Sequence, residues 1–207
     1  MDNTITGNNP SNRLEDIKKC LSKLIRHAAG TRLRKLVDCP EIEVCELEAD
    51  FVPGRILANH LAFILISGDL IRVAFKTHFN TDAAKRIAFR GDGGTVASNV
   101  SEREVFDFVK EYCNLVAGNV VALFEGVNID MGIGLPLCTR GFNEVFTNYE
   151  DLASSSIIHS DFWRMRVNDS EFVCSALFEI IDDRPLECLI DYEIVDEANI
   201  EGEIEFL

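Results

Sequence analysis

The segment VFDFVKEYCNLVAGNVVALF, residues 105–124, carries the side chains whose types and spacing could do chemistry. It reads as a long apolar helix interrupted by Asp107, Glu111, Asn114 and Gly118. A helix advances roughly 100° per residue, so Glu111 falls about 40° from Asp107, and Asn114 and Gly118 each about 20° away. Arg103, Glu104, Lys110 and Glu125 lie within about 60° of the same line. The remaining positions are almost all apolar, which predicts a helix buried around most of its circumference, with one narrow polar stripe. Two carboxylates, an amide and a glycine in a row suit a docking face that presents one hydrogen-bonding group. The plainer reading is a solvated face. Against it, Asn and Gly are poor helix formers, each costing up to about 1 kcal/mol relative to Ala. Glu, Lys or Gln would serve solvation better. Gly118 leaves the surface flat, so another backbone could come close.

Composition narrows the partners. The 207-residue chain carries a net charge of −15, against nucleic-acid binding through a broad basic surface and against a polybasic membrane patch. The seven cysteines are odd in number and lack CxxC spacing, the pattern of scattered reduced thiols. The polar start MDNTITGNNPSNR lacks a signal-peptide core, and no apolar run is long enough to span a bilayer. A soluble, cytoplasmic protein is the expectation. His27, His60, His78 and His159 are dispersed and form no metal-ligand spacing.

The elements that must position the stripe follow from periodicity. Residues 1–11 read as a flexible lead. A helix is expected from Asn12 through the LV pair at 36–37, with Asn12 as cap. Strands are expected at 41–51, 56–67 and 70–79, with turns at Val52-Pro53-Gly54 and Gly68-Asp69. A short helix at 81–89, capped by Thr81 or Asp82, and a loop at 90–99 follow. Ser101 with Glu104 three residues on forms a capping box that opens the long helix, which runs to about Gly126. A strand is expected at 128–136, then a hairpin of 155–167 and 171–181 turned at Asn168-Asp169-Ser170, with Trp163 in the core or at a dimer interface. The acidic extension 182–207 holds a candidate strand at 188–195.

Helix then three strands thus occurs twice, at 12–79 and 101–181, with a faint echo in the Ala-Gly pairs at 29–30 and 117–118. The expected fold is α+β, a pseudo-two-fold repeat whose long helices cover one face of a largely antiparallel sheet.

The spacing Asp107-x3-Glu111-x2-Asn114, with Gly118 downstream and Pro136 after a strand, resembles the CheC/CheX/FliY family of chemotaxis phosphatases. The strand-turn-strand-helix pattern at 67–88 is similar as well, and the resemblance spans roughly residues 12–181. It implies hydrolysis of the aspartyl phosphate of a CheY-type response regulator. Asn114 would enter the regulator's site and hold a water in line with phosphorus. Glu111 would pair with the regulator's active-site lysine, and Asp107 and Gly118 would complete the docking face. No cofactor of its own is implied; the Mg²⁺ would sit on the partner receiver domain. An acyl phosphate is already activated, so placing a water and neutralising charge suffice.

The first copy departs from the motif. Lys23 stands where Glu111 stands and Arg26 where Asn114 stands, so that half supplies no water-positioning amide. With one intact motif, the resemblance is to the CheX type. The alternative is a non-catalytic module of the same fold that binds a receiver or another chemotaxis component. A homodimer using the tail as an added edge strand is left open.

Overall fold

The computed structural model describes residues 10–39, 41–47, 58–89, 100–140 and 156–192. Three helices and seven strands are assigned within them: α1 (Pro10–Leu36), β1 (Ile42–Glu46), β2 (His60–Ser67), β3 (Ile71–Phe79), α2 (Thr81–Ala88), α3 (Glu102–Glu125), β4 (Gly132–Ile133), β5 (Leu137–Arg140), β6 (Ile157–Val167) and β7 (Ser170–Ile180). A 3₁₀ helix at Pro185–Leu189 follows.

All strand pairings are antiparallel, in the order β1-β6-β7-β3-β2-β4, with β5 also paired to β2. Exchange β1 for β4–β5, β2 for β6 and β3 for β7, and the order maps onto its own reverse. That is the pseudo-two-fold expected from the repeated element order, expressed as sheet topology.

The strands alternate because one sheet face meets the helices. Ala62, Ile64, Ile66, Val73, Phe75, Trp163, Met165, Phe172, Cys174 and Ala176 point inward and are buried. Trp163 is core, its ring 6.1 Å from Phe75 and stacked on it. Leu65 and Arg72 point outward on the same strands. The two long helices pack on the inner face and on each other, where the Tyr112 hydroxyl donates to the Ala29 carbonyl at 3.3 Å.

Several local expectations are corrected. α1 begins at Pro10, not Asn12, in keeping with proline's fixed φ at a first turn. Two of the eleven lead residues are therefore helical, and 1–9 lie outside the described residues, as do the Val52-Pro53-Gly54 turn and the 90–99 loop. The N-cap of α2 is Asn80, not Thr81 or Asp82. The Asn80 Oδ1 accepts from the Asn59 backbone N–H at 2.9 Å, and the Thr81 hydroxyl bonds His60 Nε2 at 2.9 Å.

The strand expected over 128–136 is reduced to Gly132–Ile133, and the next strand, β5, lies beyond that range at Leu137–Arg140. Ile129 instead donates its N–H to the Phe124 carbonyl at 2.9 Å, finishing the helix end, with Asn128 at φ 61. Gly134 sits against Leu65, donating to its carbonyl at 2.8 Å, where an added Cβ would lie 3.2 Å from that oxygen. Pro136 has no N–H to continue the ladder. The strand expected at 188–195 starts instead as the 3₁₀ helix, because Pro185 opens a turn and Leu186 and Leu189 are buried. Arg13 binds Asp183 and Glu187 at 2.8 and 2.7 Å, so the extension's first residues pack on α1. Residues 193–195 lie outside the described set.

Candidate functional site

α3 starts as a capping box: Ser101 Oγ accepts from the Glu104 N–H at 3.3 Å, and the Glu104 carboxylate accepts from the Ser101 N–H at 2.8 Å. The Ser101 hydroxyl, donating to the Glu104 carboxylate at 2.7 Å, and then the Ser101 backbone N–H hold that carboxyl below the usual range. The reciprocal cap fixes the helix start and hence the rotation of everything after it. Val105, Val109, Tyr112, Cys113, Val116, Ala117, Val120, Val121 and Phe124 are buried. Asp107, Glu111, Asn114, Ala122 and Glu125 are exposed, and Gly118 is half-buried among them. The apolar wedge against the sheet thus aims the 107–111–114–118 line at solvent.

The line is graded in how firmly it is held. Asp107 is clamped by neighbours on its own helix, with Lys110 Nζ at 2.6 Å and Arg103 Nε at 3.8 Å. The hydrogen bond from Lys110, then the charges of Lys110 and Arg103, keep its carboxyl below the usual range. Glu111 and Asn114 have no side-chain partner among the described residues. Beyond them, a Cβ added at Gly118 would meet nothing within 4 Å. The helix therefore offers a free carboxylate and a free carboxamide one turn apart, beside a bare stretch of backbone.

Asn119 shows what a structural asparagine on this helix looks like. It is 5% exposed, and with its oxygen turned to Arg32 it accepts from Nη2 at 2.7 Å and Nε at 3.3 Å. Asn114 has no such burial and no such partner. Packing therefore does not account for it. A free amide oxygen can accept a proton from water and a free amide nitrogen can donate, and neither titrates near neutrality.

Cysteine chemistry is absent from the stripe. Cys113, beside Asn114 in sequence, is fully buried and its thiol is pushed far up by burial. Cys138 on β5 is held up at about 11, again by burial. Among the described residues no group of His, Cys, Asp and Glu could hold a metal ion. Pro136 lies in the break between β4 and β5, next to the strongly exposed Leu135.

The corresponding face of α1 is built differently. Lys23 is exposed, but Arg26 is drawn down onto Asp161 through two bonds of 2.7 and 2.5 Å and also reaches Glu46. Gly30, the partner of Gly118 in the repeat, is covered: an added Cβ would lie 3.0 Å from Val44. The reading from spacing named Lys23 and Arg26 but did not find Asp161, Ser22 and His159 beside them. β6, which carries Asp161 and His159, lies more than a hundred residues away in the chain, so no local pattern could place those two beside Ser22 and Arg26.

No family model matches the sequence, and no curated protein matches it. Solved structures do share its fold. A CheC-like superfamily protein from Shewanella sp. PV-4 aligns at 15% identity and TM-score 0.55, over 76% of this chain and 96% of that one. A chain of the CheX–CheY–BeF₃–Mg²⁺ complex from Borrelia burgdorferi aligns at 14% identity and TM-score 0.53, over 76% and 96%. A chain of the FliG–FliM complex from H. pylori aligns at 12% identity and TM-score 0.54, over 87% and 100%. The chain has the CheC-like fold: three helices packed on a mostly antiparallel sheet. Among the described residues, no helix is long and apolar enough to cross a membrane.

Proposed function

We propose that this chain is a phosphatase for the aspartyl phosphate of a CheY-type response regulator, acting through Asn114 and Glu111. The observation that carries the reading is the pair itself. Both side chains are exposed and have no partner among the described residues, one turn apart on α3, in a fold shared with a chain of a CheX–CheY complex.

The chemistry follows from the residue types. The Asn114 amide holds a water in line with the phosphorus, and its burial against the partner supplies the near-attack geometry. The water attacks phosphorus, the P–O bond to the aspartate carboxylate breaks, and the proton leaves with the phosphate product. Glu111 pairs with a cationic side chain of the regulator and fixes the rotation of docking. Asp107, clamped by Lys110 and Arg103, adds a preset negative charge to the same face. Gly118 lets the partner's backbone approach. The regulator would hold magnesium, which would supply charge stabilisation to the transferring phosphoryl group. The α1 copy takes no part, because Arg26 is engaged by Asp161.

The test is phosphoaspartate decay in a panel of phosphorylated receiver domains, with and without the chain. Faster decay of one receiver, abolished by Asn114→Ala with binding retained, is the expected result. Glu111→Ala should weaken binding and decay together. Unchanged decay across the panel overturns the catalytic reading.

The FliG–FliM neighbour favours a second reading, a module that binds without turnover. Its mark would be a receiver that binds the α3 stripe while its phosphoaspartate lifetime stays the same.

A further inference from the structure

Under the pseudo-two-fold, the face of α1 equivalent to the α3 stripe opens into a cavity of about 520 Å³ between α1, β1 and β6. Its floor is polar. Asp161, only 7% exposed, takes the bidentate fork of Arg26, and Ser22 Oγ lies 2.9 Å from His159 Nε2. Its rim carries three cations from α1, Lys18, Lys19 and Lys23.

The carboxylates around the rim hold these cations loosely. Glu15 pairs with Lys18 at 2.8 Å and Asp16 with Lys19 at 3.5 Å, and Glu46 reaches Arg26. The Glu15 and Glu46 side chains are 60% and 79% exposed, so a competing anion can displace them at little cost. Lys23 has no partner among the described residues.

The rest of this helix buries Ile17, Leu21, Leu24, Ile25 and Ala28. A buried ion pair is no more stabilising than apolar residues of the same volume, so packing alone gives no reason for a charged floor. The groups present match one ligand chemistry. The ammonium groups at the rim, the Arg26 Nη1 edge left outside the Asp161 fork and held only by the exposed Glu46, and the Ser22 hydroxyl are donors that phosphate oxygens take. The volume lies in the range of small-ligand sites, about 300–1,000 Å³. In a chain of net charge −15, this cavity sets Lys18, Lys19, Lys23 and Arg26 against Glu15, Glu46 and Asp161, so its lining does not share the overall negative charge.

We infer that the cavity between α1, β1 and β6 binds a small phosphorylated anion through Lys18, Lys23, Arg26 and Ser22. This site is independent of the α3 stripe.

The experiment titrates the full chain with inorganic phosphate, pyrophosphate and adenosine triphosphate. Calorimetry reads the affinity, and the His159 imidazole resonance reports the location. The expected result is saturable one-site binding of at least one of the three, with the His159 shift following the same isotherm. Lys23→Glu should weaken it at least about tenfold, since it removes one charge-assisted contact and adds repulsion. Arg72→Glu, the same charge change on the outer sheet face, should leave it unchanged. No saturation at about millimolar affinity by any of the three anions overturns the proposal. So does equal weakening in both variants, which would mean diffuse charge only. Tighter binding of an Asp- and Glu-rich peptide than of pyrophosphate overturns the phosphate assignment in favour of a carboxylate ligand.

Discussion

Asn114→Ala separates function from folding more cleanly than any other substitution in this chain. The Asn114 side chain is exposed and has no partner among the described residues, so truncating it leaves no cavity and no orphaned group. Ala is the better helix former by roughly 0.5–0.7 kcal/mol, because the Asn amide competes for backbone hydrogen bonds in the helix interior. The variant should therefore be more stable. For a protein of this size 1 kcal/mol moves Tm by about 2–4 °C, so the gain is about 1–3 °C. Activity should move the other way. Losing the one group that orients the attacking water removes a preorganised contact made at the reacting atoms, a loss of about a hundredfold or more. The assay is phosphate release from a phosphorylated receiver at saturating variant, alongside thermal unfolding of the same preparation. A stable variant with undiminished phosphate release refutes the water-positioning role. A variant that loses activity and stability together refutes the premise that Asn114 is free of structural duty.

Three further outcomes follow from the packing. Gly118→Ala should raise stability by up to about 1 kcal/mol in denaturant unfolding, because its Cβ meets nothing within 4 Å, while weakening receiver binding by spoiling the flat approach. Arg26→Ala should cost about 3 kcal/mol, because it strands the buried Asp161 carboxylate, and the double change Arg26→Met with Asp161→Leu should recover most of it; urea midpoints decide. His60 is held below its ordinary pKa of 6.5, first by burial, with Glu102 pulling up and Arg140 pushing down. Its ring sits between Phe79 and Phe106 with Nδ1 buried and unpartnered. The folded state thus binds the proton less readily than the unfolded state, and stability falls as pH drops through 6.5 toward the folded pKa. Unfolding midpoints from pH 7.5 to 5 should show that slope, and His60→Phe should flatten it.

The sequence by itself determined α3. Ser101 and Glu104 set the start, the apolar period set the buried wedge, and the four positions 107, 111, 114 and 118 then had to share one face. Local chemistry sufficed because each of those constraints acts within one or two turns. The same holds for the β2–β3 and β6–β7 hairpins. In the second, the turn is two residues rather than the expected Asn168-Asp169-Ser170: Ser170 already pairs with Val167 in the ladder, and Asn168 takes the left-handed φ of 52° that the tight turn needs. The repeat was legible in element order, although only the sheet order made it a symmetry.

Tertiary structure decided the rest. Nothing in the residues at 128–136 shows that Gly134 must press against Leu65 and break the edge strand. That contact exists only once β2 is the neighbour. Nothing in the acidic run after 181 shows that Leu186 and Leu189 will be buried and Arg13 will hold Asp183 and Glu187. The sharpest case is the first copy. Lys23 and Arg26 read along the chain as a lost motif, yet β6 brings Asp161 and His159 to within hydrogen-bonding distance of Arg26 and Ser22. Hydrophobic period and helix capping are written at short range, whereas buried charge finds its partner across the fold. The exposed stripe on α3 was therefore readable in advance, and the polar cavity on α1 was not.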